Sequence, residues 1–236
     1  MRNGLIVACT AVGSEPCNSI EVQTLFAQAA VQGGAKGIRA EGAALVKAVR
    51  DSVSVPVIGW AASRHEDGTL KVTGTFAEIT ALLTAGSDLI AVDGTFRRRD
   101  GLTGPQFIER VKKEFDCPII ADVSTYAEGI ACADYGTDAI STYLSGFTTE
   151  TSYYPEERPD FNIIQTLVRE LSIPVIADGK INIPKFAKDL LLDGAWAVVI
   201  ETVITKPATV AGWFTTALQK AVDEKTESLD LNGDTR

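Results

Sequence analysis

The sequence predicts a single (β/α)8 barrel, and three observations carry that prediction. Eight short apolar runs bounded by turn residues recur along the chain, and stretches of helical spacing separate them. The length of 236 residues is near the roughly 250 typical of the closed barrel. Runs that are continuously apolar, rather than alternating, are what a parallel sheet covered on both faces requires.

The runs fall at Gly4–Cys9, Gly37–Ala40, Pro56–Trp60, Leu89–Asp93, Pro118–Asp122, Ala139–Tyr143, Pro174–Asp178 and Ala197–Glu201. They come in two alternating kinds. Strands three, five and seven open with a proline (VPVIG, CPIIAD, IPVIAD), while strands two, four, six and eight follow a glycine and a small residue (GGAKGI, AGSDLI, YGTDAI, DGAWAV). Both devices end the preceding helix. A glycine just past a helix takes the left-handed cap, and a proline stops a helix yet is tolerated as the first residue of a strand. The stretches 43–51, 105–115 and 162–171 are amphipathic and read as helices. An open doubly wound sheet would want a GxGxxG turn after strand one, and CTAVGSEP is not one. The barrel is expected over residues 1–221, and the polar, acidic residues 222–236 are expected to be a frayed tail.

Composition narrows the function classes. With 45% hydrophobic residues, a chain of this size buries a core that needs no disulfide or metal staple. A net charge of −9 disfavours nucleic acid, whose binding rests on neutralising phosphates. It leaves room for a small anion held by a few local cations. Cys9, Cys17, Cys117 and Cys132 show neither CxxC nor zinc spacing and read as reduced thiols. The start, MRNGLIVACTAVG, reads as strand one rather than a signal peptide. No apolar run approaches the roughly 18 residues of a membrane span, so a cytoplasmic protein is expected.

In this fold the working site is built from the segments after the strands. Those segments hold Thr10, Arg39, Ala61–His65, Asp93–Thr95, Asp122–Ser124, Thr142–Gly146, Asp178–Lys180 and Glu201–Thr202. Four acids, Asp93, Asp122, Asp178 and Glu201, should therefore ring the mouth. A lone acid at a strand end is as readily a structural cap. Four together repel, and at least one pKa should rise unless Arg39, Lys180, Lys206 or a metal balances them.

The stretches GLIVACTA, GGAKGIRAEG, VPVIG, DLIAVDGTFRRRDG, IIADVSTYAEG, LSGFTTET, IPVIADGKINIP and AVVIETVITKP together resemble the N-acylglucosamine-6-phosphate 2-epimerases, also called N-acetylmannosamine-6-phosphate epimerases. The resemblance runs over about residues 3–210. It implies a TIM barrel and a carbohydrate epimerase that inverts C2 of an amino sugar or sugar phosphate. It further implies no cofactor, a homodimer, and a place in amino-sugar or sialic acid catabolism. The C2 proton is acidic because it lies α to the C1 aldehyde; a base removes it and an acid returns it to the other face. The family's base is a lysine at the end of strand three, and its partner is a glutamate at the end of strand seven. A Gly-Gly pair after strand eight, with arginines nearby, holds the phosphate.

This chain departs from the family at those positions. Ala62 stands where the lysine belongs, Ser63 where the next arginine does, and Asp178 replaces the glutamate. Thr10 replaces a glutamine, Glu201–Thr202 the Gly-Gly pair, and Lys180 and Lys206 the arginines. Arg39, Asp122, Ser124, Ser145, Gly146 and Asn182 match the family. Glu201 is the sharpest change, because one like-charge pair at 4 Å and an effective dielectric near 20 costs about 4 kcal/mol. Either Glu201 turns outward, or it binds a cation, or the ligand lacks that phosphate.

The catalytic candidates are Asp178, His65 and Asp122. Asp178 is the leading one; its other reading is to hold Lys180 or its own loop. His65, the sole histidine, titrates near neutrality and is either a replacement base or an exposed loop residue. Asp122 fits an orienting role better than a proton-moving one. The substrate-binding candidates are Thr10, Arg39, Arg64, Ser124, Thr142, Ser145, Gly146, Lys180, Glu201 and Thr202. Arg97–Arg99 read as loop structure or as ion pairs with Asp93 and Asp100. Tyr153 and Tyr154 either cover a sugar face or anchor the long loop after strand six. Loss of the lysine keeps two other functions open. One is a non-catalytic sugar-binding or regulatory barrel. The other is a metal-dependent lyase or epimerase whose acids hold Mg²⁺ or Mn²⁺, ions that prefer oxygen ligands, although no metal ligand is assigned.

Overall fold

In chain order the strands are β1 (Leu5–Cys9), β2 (Gly37–Glu41), β3 (Val57–Trp60), β4 (Ala62–Arg64), β5 (Leu70–Val72), β6 (Leu89–Asp93), β7 (Ile119–Asp122), β8 (Ala139–Ser141), β9 (Val175–Ala177) and β10 (Ala197–Ile200). The structure is a computed structural model that describes all residues except 11–12, 14, 66–67, 154–157 and 234–236, with side chains 227–233 also outside the description. Eight strands pair in parallel and close into a barrel in the order β1-β10-β9-β8-β7-β6-β3-β2. These are the eight predicted strands. The three prolines sit one residue before their strands, and their carbonyls begin the ladder. Pro56 accepts from Ile38, Pro118 from Ile90 and Pro174 from Ile140, so the missing proline N–H leaves the ladder intact.

The helices are α1 (Ile20–Gln32), α2 (Ala43–Ser52), α3 (Phe76–Thr84), α4 (Gly104–Glu114), α5 (Tyr126–Asp134), α6 (Phe161–Glu170), α7 (Pro184–Leu192), α8 (Thr202–Thr205) and α9 (Pro207–Gly233). Thr75 with Glu78 and Thr125 with Glu128 form capping boxes that start α3 and α5. Gly86 and Gly136 carry φ of 95° and 88°, the left-handed turn needed to leave α3 and α5. Two residues further on, Asp88 and Asp138 accept the N–H of Val57 and Ile119, at 2.8 and 2.7 Å. The repeated GSD and GTD segments thus tie each helix exit to the neighbouring strand.

Side chains alternate along each strand, and the core has two layers as a result. Ile6, Ala8, Ile58, Ala91, Ile120 and Ile176 belong to one buried cluster, which fills the barrel. Val7, Ile38, Val57, Val92, Ile119 and Ile140 belong to the other, packed under the helices. The inward parity continues to the strand ends at Arg39, Glu41, Trp60, Asp93 and Asp122.

Two features differ from expectation. The segment after β3 is an antiparallel hairpin, with Ala62 paired to Val72 and Arg64 to Leu70. Strands of three residues are too short to show a period. The expected boundary at Val222 is not an end of structure either, since α9 runs through it to Gly233; Glu224, Lys225 and Leu229 are good helix formers. The cysteines are all unpaired, with Cys9, Cys117 and Cys132 buried. Among the described residues no helix is long and apolar enough to cross a membrane.

Candidate active site

Arg39 organises the mouth of the barrel from its centre. Strand parity points it inward from β2, where it is only 2% exposed. Its Nη1 and Nη2 donate to Asp122 Oδ1 and Oδ2 at 2.9 and 2.5 Å, and Nη1 also reaches Asp178 Oδ2 at 3.2 Å. The rings of Trp60 and Tyr143 lie 5.2 and 4.5 Å from its guanidinium carbon, close enough for cation–π attraction. Burial works against its charge, but the two carboxylates more than compensate and raise its pKa.

The two acids on Arg39 are not equivalent. Asp122 takes the bidentate fork, the strong form of this pairing. Asp178 takes a single, longer bond. Its pKa is pushed up to about 7, first by burial, then by the charges of Asp122 and Glu201, against the opposing pull of Arg39 and of the Gly179 N–H. The backbone here is pinned. Thr142 Oγ1 donates to the Asp178 carbonyl at 3.0 Å and accepts from its N–H at 3.1 Å. Gly179 and Lys180 then turn with φ of 94° and 59°. For Lys180 this is a sparsely occupied region, of the kind found at functional sites.

A second group forms where β1, β2 and β10 end. Thr10 Oγ1 donates to Glu201 Oε1 at 2.7 Å, and Lys206 Nζ lies 3.1 Å from the same oxygen. Glu201 therefore binds a cation, one of the three outcomes foreseen for it. Glu41 stands beside this group, half-buried. Burial and the Glu201 charge push its pKa up to about 7, against Lys206 and Arg39. Its Oε2 is buried and has no hydrogen-bond partner among the described residues.

Two adjoining cavities open at these groups. One, of about 320 Å³, is walled by Thr10, Glu41, Ala62, Arg64, Glu201 and Lys206, among others. The other, of about 340 Å³, includes Gly146, Asp178, Lys180, Asn182, Thr202 and Trp213 in its wall. Glu201 and Tyr143 belong to both walls. Each is of small-ligand size.

The fold thus brings Thr10, Arg64, Gly146, Asp178, Lys180, Glu201 and Thr202 to cavity walls. It places the other candidates elsewhere. Arg39 and Asp122 lie behind Asp178, on neither wall, so their placement is that of support rather than ligand contact. Thr142 holds the Asp178 backbone. Ser124 donates through N and Oγ to Glu128 Oε2, at 2.9 and 2.8 Å, and so belongs to the start of α5. Ser145 donates to Asp160 Oδ2 at 3.0 Å, at the start of α6. Tyr153 is 74% exposed and on neither wall; Tyr154 lies outside the described residues.

His65 and Asp93 leave the expected ring together. His65 Nε2 is 3.1 Å from Asp93 Oδ2, and Arg97 Nη2 donates to the same oxygen at 3.0 Å. Arg99 Nη2 is 3.0 Å from Oδ1 as an ion pair outside hydrogen-bond alignment, while its Nη1 donates to the Asp93 carbonyl. Burial alone would raise the Asp93 pKa. The His65 bond and the charges of Arg99 and Arg97 instead bring it to about 2. Arg97 and Arg99 thus form the ion pairs expected with Asp93, while Arg98 donates to the Gly101 carbonyl within the loop. His65 faces that carboxylate and lines neither cavity, which removes the geometric basis for it as a replacement base.

Wall residues that escaped the sequence reading include Glu41, Trp60 and Trp213. Glu41 follows Arg39 by two and shares its face of β2, so strand parity would have found it. Trp60 follows the same rule from Ile58. Trp213 comes from α9, and the strand-end rule has no access to it. Among the described residues, no group of three or more His, Cys, Asp or Glu side chains is placed to hold a metal ion.

Comparison with known proteins agrees with this architecture. Residues 23–220 match the family model described as "Putative N-acetylmannosamine-6-phosphate epimerase". Relatives in Caldanaerobacter subterraneus subsp. tengcongensis and Cutibacterium acnes are each 40% identical over 223 residues. They cover 93% of this chain and 93% and 95% of their own, and both are described as "Putative N-acetylmannosamine-6-phosphate 2-epimerase". A solved structure of the N-acetylmannosamine-6-phosphate 2-epimerase from Clostridium perfringens superposes with a TM-score of 0.85 at 33% identity, over 92% of this chain and 93% of that one. With the barrel, the strand-end carboxyls and relatives of this similarity over nearly the whole length, the chain belongs to the N-acetylmannosamine-6-phosphate epimerase family.

Proposed function

We propose that the protein is a carbohydrate epimerase that inverts C2 of an N-acylamino hexose or its phosphate, with Asp178 as a proton-carrying group. The observation that carries this reading is the state of Asp178. It is a cavity-wall carboxyl, 7% exposed, in a chain of this family, with a pKa raised to about 7. A carboxyl poised there is protonated about half the time at neutral pH, so it can accept a proton from carbon and return one. The C2 proton of an open-chain 2-acylamino aldose is acidic because the adjacent C1 aldehyde delocalises the carbanion as an enolate. Lys180 and Lys206 supply the positive charge near the cavities that an enolate oxygen requires. Ala62 offers no ionisable group, so the chemistry rests on carboxyls.

We place the protein in the cytoplasm as a homodimer. In support, Trp213, Phe214, Leu218 and Val222 on α9 are 43%, 69%, 68% and 54% exposed. An apolar stripe of this extent marks an interaction surface, and light scattering on the purified protein reads the oligomeric state.

The test of function is proton exchange. The protein is incubated in D₂O with N-acetylmannosamine 6-phosphate and, separately, with N-acetylmannosamine, and C2 is followed by proton NMR. The expected result is deuterium at C2 together with the gluco epimer for at least one sugar. No exchange and no epimer with either would overturn the reading.

A further inference from the structure

We propose that Glu41 is the second proton-transferring residue of this site, working on the face of C2 opposite to Asp178. The inference rests on the epimerase reading above and adds a residue to it.

Inversion at C2 needs a proton removed from one face and delivered to the other. One carboxyl can serve both faces only if it swings or if the intermediate turns over. Asp178 is poorly suited to swing. Arg39 holds its Oδ2 at 3.2 Å, and Thr142 bonds its backbone on both sides. A second group is therefore required elsewhere on the wall. Around the barrel the order is β2-β1-β10-β9, so Glu41 at the end of β2 is separated from Asp178 after β9 by Thr10 and Glu201. The two acids wall different cavities, and those cavities meet at Glu201 and Tyr143. A sugar seated across that junction would have one acid on each side.

The other charged groups on the Glu41 side are committed or unsuited. Glu201 holds Thr10 and Lys206. Arg64 donates to the Gly68 carbonyl and does not give up its proton near neutral pH. Ala62 shares the cavity wall and has only a methyl group. Glu41 lines the same wall, and the β2–β3 register pairs it with Trp60, two residues before Ala62, with the Gly42 N–H donating to the Trp60 carbonyl. The Oε2 of Glu41 is buried and without a partner among the described residues. A buried polar oxygen in that condition is costly, and it leaves the Glu41 carboxyl uncommitted on a residue that lines the cavity. Burial and the neighbouring Glu201 also keep this carboxyl near the proton-sharing range.

The test follows both epimers in D₂O, in whichever phosphorylation state the unmodified protein turns over. Glu41→Gln should slow interconversion by about 10²–10⁴-fold, the usual loss for one acid–base group. It should still exchange the C2 proton of the epimer whose hydrogen faces Asp178. Asp178→Asn should show the mirror image, exchanging only the other epimer. Glu41→Asp, which keeps the carboxyl, should restore measurable interconversion. Equal loss of exchange from both epimers in Glu41→Gln, or interconversion above a tenth of the unmodified rate, would overturn the role. If the unmodified protein exchanges neither epimer, the epimerase reading itself fails and this role goes with it.

Discussion

Asp93 and Asp178 stand at the ends of two strands of one barrel, each after an apolar run and each followed by a glycine, and they are held in opposite states. Around Asp93 stand His65, Arg97, Arg99 and Thr95, and its pKa falls to about 2. Around Asp178 a single arginine is shared with Asp122, Glu201 adds a further negative charge, and the pKa rises to about 7. Burial pushes both upward; the number of cations decides the sign. The fully compensated carboxylate serves the loop after β6, and the under-compensated one is available for proton transfer. A pair of like groups driven apart by environment is a general mark of acid–base sites.

Breaking the compensated side should have the largest effect on stability. Asp93→Ala strands Arg97, Arg99 and His65 around a vanished charge. Removing one partner of a buried ion pair costs about 3–5 kcal/mol, so urea unfolding at pH 7 should show a loss of that order. The pH dependence fixes the cause. A folded pKa of about 2 lies below the unfolded value, so the contribution of Asp93 is complete above about pH 4 and fades as pH falls toward 2. The gap between variant and unmodified protein should narrow over that window. A gap constant from pH 7 to 2 would mean that packing, not charge, is what Asp93 supplies.

The sign reverses at Asp178. A folded pKa raised to about 7 means that the native state keeps a proton the unfolded chain has released. Stability from this group is full below about pH 4 and is lost as pH rises through 7. Asp178→Asn removes the titration, so the variant should gain stability relative to the unmodified protein between about pH 4 and 8. At 1.36 kcal/mol per unit the gain reaches at most about 4 kcal/mol, less whatever charge pairing with Arg39 is forfeited. Unfolding curves at pH 4.5 and 8.5 measure it, and a variant equally stabilised at both would sink the assignment. The same variant loses interconversion, which is the usual trade between a strained site and stability.

How much of this contrast was legible in the sequence follows from what each level of structure depends on. The barrel was readable because a strand buried on both faces must be apolar throughout, and because Gly86, Gly136 and the three strand-leading prolines mark the helix exits. The hairpin of β4 and β5 was not, since three residues carry no period. At the site, strand ends located Asp178, Glu201 and Thr10. An apolar run before and a glycine after are common to Asp93 and Asp178, and could not separate the structural acid from the reactive one. The partners decide it: Arg39 comes to Asp178 from β2, while Asp93 takes His65 from the turn between β4 and β5 together with Arg97 and Arg99 of its own loop. Glu41 was within reach of a parity argument, while Trp213 depended on where α9 lies across the mouth.

The smallest of the expected effects probes whether cation count alone moves a carboxyl between the two states. Glu41 sits between the extremes. Burial and Glu201 raise it, while Lys206 and Arg39 pull it back. Lys206 is partly exposed, with 30% of its side chain accessible, so solvent screens its charge and the pair it makes with Glu201 is worth at most about 1 kcal/mol. Lys206→Met removes that pull without touching either acid. The Glu41 limb of the pH–exchange profile should move upward, by less than about one unit given that screening. The Asp178 limb, which has Arg39 as its cation, should move less. Exchange at C2 measured for each epimer from pH 5 to 9 separates the two limbs. A shift of equal size in both would mean that Lys206 acts on the whole mouth through Glu201 rather than on Glu41 directly. A downward shift would contradict the view that cation count sets these states.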